Sequence, residues 1–133
     1  MQNNDIVIHT DGACKGNPGQ GGWGAVIEHN GDQIRLSGGE PQTTNNRMEM
    51  TAVIKGLEAV DRSAKVLISS DSTYVVNTMT KGWKRKANHD LWERLDALVQ
   101  SRDVSWRWVR GHNGDLGNEL ADLLATKEAG TAK

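Results

Sequence analysis

Apolar residues recur along this chain with two periods, and the switches between them mark out the elements. Ile6-Val7-Ile8-His9-Thr10-Asp11 reads as a strand, followed by a glycine-rich turn through Gly12, Gly16, Asn17, Pro18 and Gly19. Residues 23–29 and 33–37 read as two more strands. Asn30-Gly31-Asp32 lies between them, a hairpin signal, so three antiparallel strands result. Met50, Val53, Ile54 and Leu57 then fall at i, i+3, i+4, i+7 and predict a helix over 43–60, with Thr43, Thr44, Asn45 or Asn46 as its cap. Val66-Leu67-Ile68 is a short strand that closes at Ser69-Ser70-Asp71, and a short helix follows over residues 72–80. Residues 81–87 are polar and basic and read as a loop. Leu91, Leu95, Leu98 and Val99 mark a further amphipathic helix, and Val104, Trp106 and Trp108 alternate with Ser105 and Arg107 as a strand does. Residues 111–117 read as a loop. Leu116, Leu120, Leu123 and Leu124 mark a final helix, and 130–133 read as a frayed end.

Three strands, a helix, a strand, one or two helices, a strand and a helix make an α/β fold with a mixed sheet. Strands that alternate with helices pair in parallel by crossover. Sites in such sheets gather at the carboxyl ends of strands, where Asp11 and Asp71 both fall. No repeat or linker divides the 133 residues, so one domain is expected over 1–133, with its core over residues 5–129.

Composition narrows the function classes. A net charge of −1 argues against a sequence-blind polycation but leaves room for a local basic patch. No apolar run approaches the ~18 residues of a membrane span. The stretch Met1-Gln2-Asn3-Asn4-Asp5 has neither the basic nor the apolar region of a secretory signal. Cys14 is the one cysteine, so no internal disulfide forms, and a reducing cytoplasm is the expected setting. Cys14 itself reads as a small packed residue rather than a nucleophile.

Asp11, Glu49, Asp71 and Asp122 carry the chemistry. Each stands where an apolar strand ends or inside an amphipathic helix, where a lone charge is costly. Each also has an ordinary explanation. Asp11 could begin a turn, Asp71 could cap a helix, Glu49 could complement a helix dipole, and Asp122 could sit on a solvated face. Taken together they suggest carboxylates gathered by divalent cations, hence a metal-dependent enzyme acting on phosphate.

Four runs extend this reading: Thr10 to Gly19 (TDGACKGNPG), Thr43 to Glu49 (TTNNRME), Ser70 to Val75 (SDSTYV) and Val109 to Gly114 (VRGHNG). With the downstream Asn118-Glu119-Leu120-Ala121-Asp122 they resemble bacterial type 1 ribonuclease H in order and spacing, from Ile6 to Ala125. The resemblance implies a ribonuclease H-like sheet of five strands, three antiparallel and then two parallel, flanked by helices. It implies a monomeric endoribonuclease that cuts the RNA strand of RNA–DNA hybrids with two Mg²⁺ ions, Mn²⁺ being an alternative, and leaves 3′-hydroxyl and 5′-phosphate ends. Asp11, Glu49, Asp71 and Asp122 would be the metal ligands. His112, between glycines, would assist proton transfer or product departure, and Glu119 would help there. His112 could otherwise be a merely exposed or structural residue; His9, His29 and His89 receive no role.

The remaining candidates concern substrate. Asn17, Thr44, Asn45 and Asn46 offer polar groups suited to the minor groove, the 2′-hydroxyl and a DNA phosphate, although turn and cap chemistry explains them too. Trp92, Trp106 and Trp108 read as core. Trp83 lies among Lys81, Lys84, Arg85 and Lys86 and suits a sugar–phosphate backbone; in the family a tryptophan there lines the DNA-strand channel. Three departures from the usual bacterial pattern stand out. Thr73 replaces a common glutamine, Gln42 replaces a common arginine, and the segment after Trp83 is too short for the helix and basic loop that many relatives carry. A DNA exonuclease or strand-transfer enzyme of the same broad fold and a catalytically silent hybrid-binding module are the competing readings.

Overall fold

The computed structural model describes residues 5–110 and 115–131. The elements run β1 (Asp5–Lys15), β2 (Gly19–His29), β3 (Asp32–Thr43), α1 (Asn45–Glu58), β4 (Lys65–Ser70), α2 (Thr73–Lys81), α3 (His89–Gln100), β5 (Asp103–Trp108) and α4 (Leu116–Thr131). They build one five-stranded sheet in the order β3-β2-β1-β4-β5. β1, β2 and β3 are antiparallel neighbours, and β4 and β5 join in parallel. This is the expected ribonuclease H-like α/β architecture.

Local chemistry explains most boundaries. Asn30 and Gly31 both take positive φ and form a two-residue hairpin loop between His29 and Asp32. Of the four candidate caps for α1, Thr44 serves: its hydroxyl accepts from Arg47 N at 3.3 Å. Met50, Val53, Ile54 and Leu57 are fully buried, and they pack with Ile8, Ile68, Trp92 and Leu95 in the core. Ser72, not Asp71, caps α2, accepting from Val75 N at 3.1 Å. That leaves the Asp71 carboxylate out of the cap.

The first strands are longer than the sequence pattern suggests. The glycine-rich stretch is not one long turn: β1 continues to Lys15, and only residues 16–18 turn. Close packing is the reason. A Cβ at Gly22 or Gly24 would lie 2.3–2.5 Å from the backbone of Ala125 or Ala121 on α4. These glycines stay in strand conformation and let a helix rest on the sheet. Likewise the loop expected over 111–117 is shorter at its end, because α4 begins at Leu116. The expected fraying at Gly130 does not begin there, since α4 runs to Thr131. Between α2 and α3 the chain forms no helix, in keeping with the short basic segment.

Candidate active site

The parallel ladder between β1 and β4 ends with Thr10 opposite Ser70. Asp11 on β1 and Asp71 just past the end of β4 come next, so two carboxylates stand side by side where the parallel pairing stops. Asp71 directly follows the carboxyl end of β4. Asp11 does not end its strand, for β1 continues beside β2 with Asp11 opposite Gly24. Glu49 arrives from α1, and Gly12 brings it close. A Cβ on Gly12 would lie 2.4 Å from the Glu49 backbone nitrogen and 2.6 Å from the Met48 carbonyl carbon. The missing side chain thus lets the helix backbone rest on β1. Carboxylate oxygens of Asp11, Glu49 and Asp71 all lie within 4.8 Å of one another. Asp122, half-buried on α4, joins through a side-chain hydrogen bond with Asp11. Neither a dipole charge at Glu49 nor a solvated face at Asp122 describes these positions.

Gathering buried acids has an electrostatic consequence. The Asp11 carboxyl is raised from 3.8 to about 8, by burial first, then by the charge of Asp71 and the hydrogen bond with Asp122. Gly12 N donates to Asp11 Oδ1 at 2.8 Å and pulls the other way. Glu49 is pushed well above the usual carboxylate range, by burial first and then by the charges of Asp11 and Asp71. Glu49 Oε1 is buried with no hydrogen-bond partner among the described residues, a condition that costs about 1–3 kcal/mol when nothing offsets it. An all-oxygen donor set with a buried, unpartnered carboxylate oxygen suits a hard divalent cation.

The other candidates fall into two surfaces. On one side, the turn after β1 meets the start of α1: Asn17 Oδ1 accepts from Asn45 N at 2.8 Å. Asn17 and Asn46 are exposed there, and Thr44 and Asn45 are half-buried. On the other, Lys81, Trp83, Lys84 and Lys86 are exposed around the end of α2. Arg85 is turned away from this group. Its guanidinium pairs with both Asp96 oxygens and lies 4.8 Å from the centre of the Trp92 ring. A planar fork that matches a carboxylate and an aromatic face is well held in that place. Glu119 is half-buried in the first turn of α4. His112 lies outside the described residues.

Tryptophan roles divide differently from the sequence reading. Trp92 is core and Trp106 is partly buried against it, but Trp108 is 47% exposed, and its Nε1 donates to the Asp71 carbonyl at 3.2 Å. Strand alternation places Trp106 and Trp108 on one face, but α2 covers that face only in part. His9, which no sequence motif singles out, is buried two residues before Asp11, with Nε2 3.0 Å from Glu28 Oε1 and Nδ1 3.1 Å from Asn118 Oδ1. No local pattern signals a pairing 109 residues apart.

Fold and site together define a class: an α/β protein whose mixed sheet gathers carboxylates beside two parallel strands, where they can hold divalent metal. Comparison with known proteins gives the family. The RNase H family model matches residues 3–130. Ribonuclease H of Maricaulis maris is 50% identical over 142 aligned positions, covering 96% of this chain and 95% of that protein. Among solved structures, LC9-RNase H1, a type 1 RNase H with the type 2 active-site motif, superposes with a TM-score of 0.83 at 34% identity, covering 100% of this chain and 75% of that one. LC11-RNase H1, solved in complex with an RNA/DNA hybrid, gives 0.80 at 27% identity, covering 94% and 96%. The chain belongs to the ribonuclease H family, among the bacterial type 1 enzymes.

Proposed function

We propose that this enzyme hydrolyses the RNA strand of RNA–DNA hybrids endonucleolytically, leaving 3′-hydroxyl and 5′-phosphate ends, and that it works as a cytoplasmic monomer of one domain. The observation that carries the reading is the cluster of Asp11, Glu49 and Asp71 in a ribonuclease H fold. Asp11, Glu49, Asp71 and Asp122 would hold two Mg²⁺ ions, or Mn²⁺ in their place. Bound there, the ions would supply the positive charge that activates a water for in-line attack and stabilises the leaving 3′-oxygen.

The chain's own residues have distinct roles. Asp11 and Glu49 hold protons in the metal-free site and shed them to become ligands. Gly12 N fixes one Asp11 oxygen and so orients the other. Asn17, Asn45 and Asn46 would read the minor groove and the 2′-hydroxyl, with Asn17 tied to Asn45 by a hydrogen bond, and Thr44 beside them would serve a pocket for a DNA phosphate. Trp83, Lys84 and Lys86 would support the DNA backbone, with Arg85 as the internal brace of that segment. His112 would move a proton or assist product departure, aided by Glu119. Contacts of this kind recognise backbone and groove shape, so little base preference is expected. No helix among the described residues is long and apolar enough to cross a membrane.

Labelled RNA–DNA hybrid, duplex DNA and duplex RNA, each incubated with Mg²⁺ or with chelator, test the reading. Cleavage confined to the RNA of the hybrid and dependent on metal is expected. Cleavage of duplex DNA would favour the exonuclease or strand-transfer alternative. Binding of hybrid without cleavage would favour a silent binding module.

A further inference from the structure

We infer that His9 is the positioning residue that sets α4 along the sheet and thereby places Asp122 beside Asp11. This inference rests on the functional reading above. It starts from the seam between α4 and the sheet. Gly22 and Gly24 on β2 face Ala121, Ala125 and the backbone around Ala129. A seam of glycine and alanine fixes how near the helix lies. It offers few protrusions to fix where along the strand the helix stops.

His9 supplies the stop. Its ring is buried on β1, and a Cβ on Gly117 would lie 2.3 Å from ring atoms Cδ2 and Nε2. The α4 backbone is therefore seated directly on the imidazole, and only glycine fits between them. Polar contacts fix the direction. His9 Nε2 lies 3.0 Å from Glu28 Oε1 of β2, and Nδ1 lies 3.1 Å from Asn118 Oδ1 of α4. Asn118 is in turn oriented from β4: its Nδ2 donates to Ser69 O at 2.9 Å, and Ser69 Oγ donates to Asn118 Oδ1 at 2.8 Å. Asp115, whose Oδ1 accepts from Asn118 N at 3.2 Å at the start of α4, lies 3.6 Å from His9 Nδ1. A buried imidazole is costly without polar neighbours, and here an oxygen lies within 3.1 Å of each ring nitrogen.

The spacing links this catch to the site. Two residues along β1, from His9 to Asp11, advance about 6.6 Å. Four residues along α4, from Asn118 to Asp122, advance about 6 Å. Both pairs lie on facing sides, so contact at His9 puts Asp122 level with Asp11, where their side chains hydrogen-bond. If the catch is lost, α4 can slide while its apolar seam is kept.

The test compares His9→Ala, His9→Gln, Gly117→Ala and the double variant His9→Ala/Gly117→Ala with the unaltered chain. A distant control, Leu98→Ala, lowers stability without touching α4. For each, kcat and KM are measured on hybrid, Mg²⁺ affinity is measured calorimetrically without substrate, and melting temperature is recorded. His9→Ala should lower kcat about tenfold with KM little changed, and weaken Mg²⁺ binding severalfold. His9→Gln, which can still donate to an oxygen, should recover much of both. Gly117→Ala should resemble His9→Ala, and the double variant should be no worse than Gly117→Ala alone, because the new methyl then fills the space left by the ring. Leu98→Ala should keep kcat and metal affinity at a similar loss of melting temperature. If His9→Ala does not fold, Gly117→Ala and Asn118→Ala carry the same expectations. Unaltered kcat and metal affinity in these variants, or equal losses in Leu98→Ala, would overturn the assignment. Absence of hybrid cleavage by the unaltered chain would instead overturn the functional reading, and the calorimetric comparison would still judge His9.

Discussion

At the scale of single residues, the site is governed by acids that hold protons the unfolded chain would release. Asp11 is raised from 3.8 to about 8 and Glu49 is raised well above its ordinary range, so the fold binds these protons more tightly than the unfolded chain does. Their stabilising effect is complete at low pH, below the ordinary carboxylate range, and is lost as pH rises through about 8. Metal-free protein should therefore melt at a falling temperature from about pH 4 to about pH 8, levelling above that, and added Mg²⁺ should raise the melting temperature more at the upper end. Asp11→Asn should flatten this profile and leave the metal-free protein at least as stable at pH 8, because one of several like charges is gone. A profile unchanged by the substitution would mean that the acids do not interact as described. His112→Ala should reduce turnover more than it raises KM, and a change in KM alone would move His112 to substrate contact. The grouping of Asp11, Glu49 and Asp71 was legible in the sequence because these residues sit in dense motifs. The partners of Arg85 and His9 were not, because Asp96, Glu28 and Asn118 find them only through tertiary packing.

Among the elements, periodicity was readable wherever one face is buried and the other is wet. α1, α3 and the strand alternation of β5 followed directly. The glycine-rich stretch misled, because glycine signals both a turn and a close approach, and only the helices packed against it decide which. Gly12 is the sharpest case. Gly12→Ala would drive a methyl into the α1 backbone beside Glu49. Overpacking of this kind costs about 1–3 kcal/mol. We expect a melting temperature lower by several degrees and a larger proportional loss of Mg²⁺ affinity, read by calorimetric titration. Ordinary metal affinity in a folded Gly12→Ala protein would show that the close approach of α1 does not place Glu49.

For the molecule as a whole, the sequence showed the order of strands and helices, and the sheet order follows from it by ordinary connection rules. It also showed a shortened segment after Trp83, and the chain forms no helix between Lys81 and His89. The Maricaulis alignment spans 142 positions, more than the 133 residues of this chain, so that relative carries residues missing here. With Arg85 engaged internally, Lys81, Lys84 and Lys86 are the exposed cations of this region. Log–log salt slopes change by about one unit per neutralised phosphate. The enzyme should accordingly bind hybrid more weakly, with a shallower salt dependence, than relatives bearing the basic loop. Grafting such a loop after Trp83 should tighten binding and steepen the slope with modest change in kcat. Equal affinity and slope in the native chain would reveal another basic surface.

Four carboxylates, from β1, α1, the end of β4 and α4, would form the reaction centre for RNA in a hybrid. Single-turnover cleavage of an end-labelled hybrid by the unaltered chain and by Asp11→Asn, in Mg²⁺ and with both proteins shown to be folded by melting, tests this assignment most directly. The first protein should give RNA fragments with 3′-hydroxyl and 5′-phosphate ends, and the second should react at least about a hundredfold more slowly. Comparable rates from the two proteins would contradict the assignment.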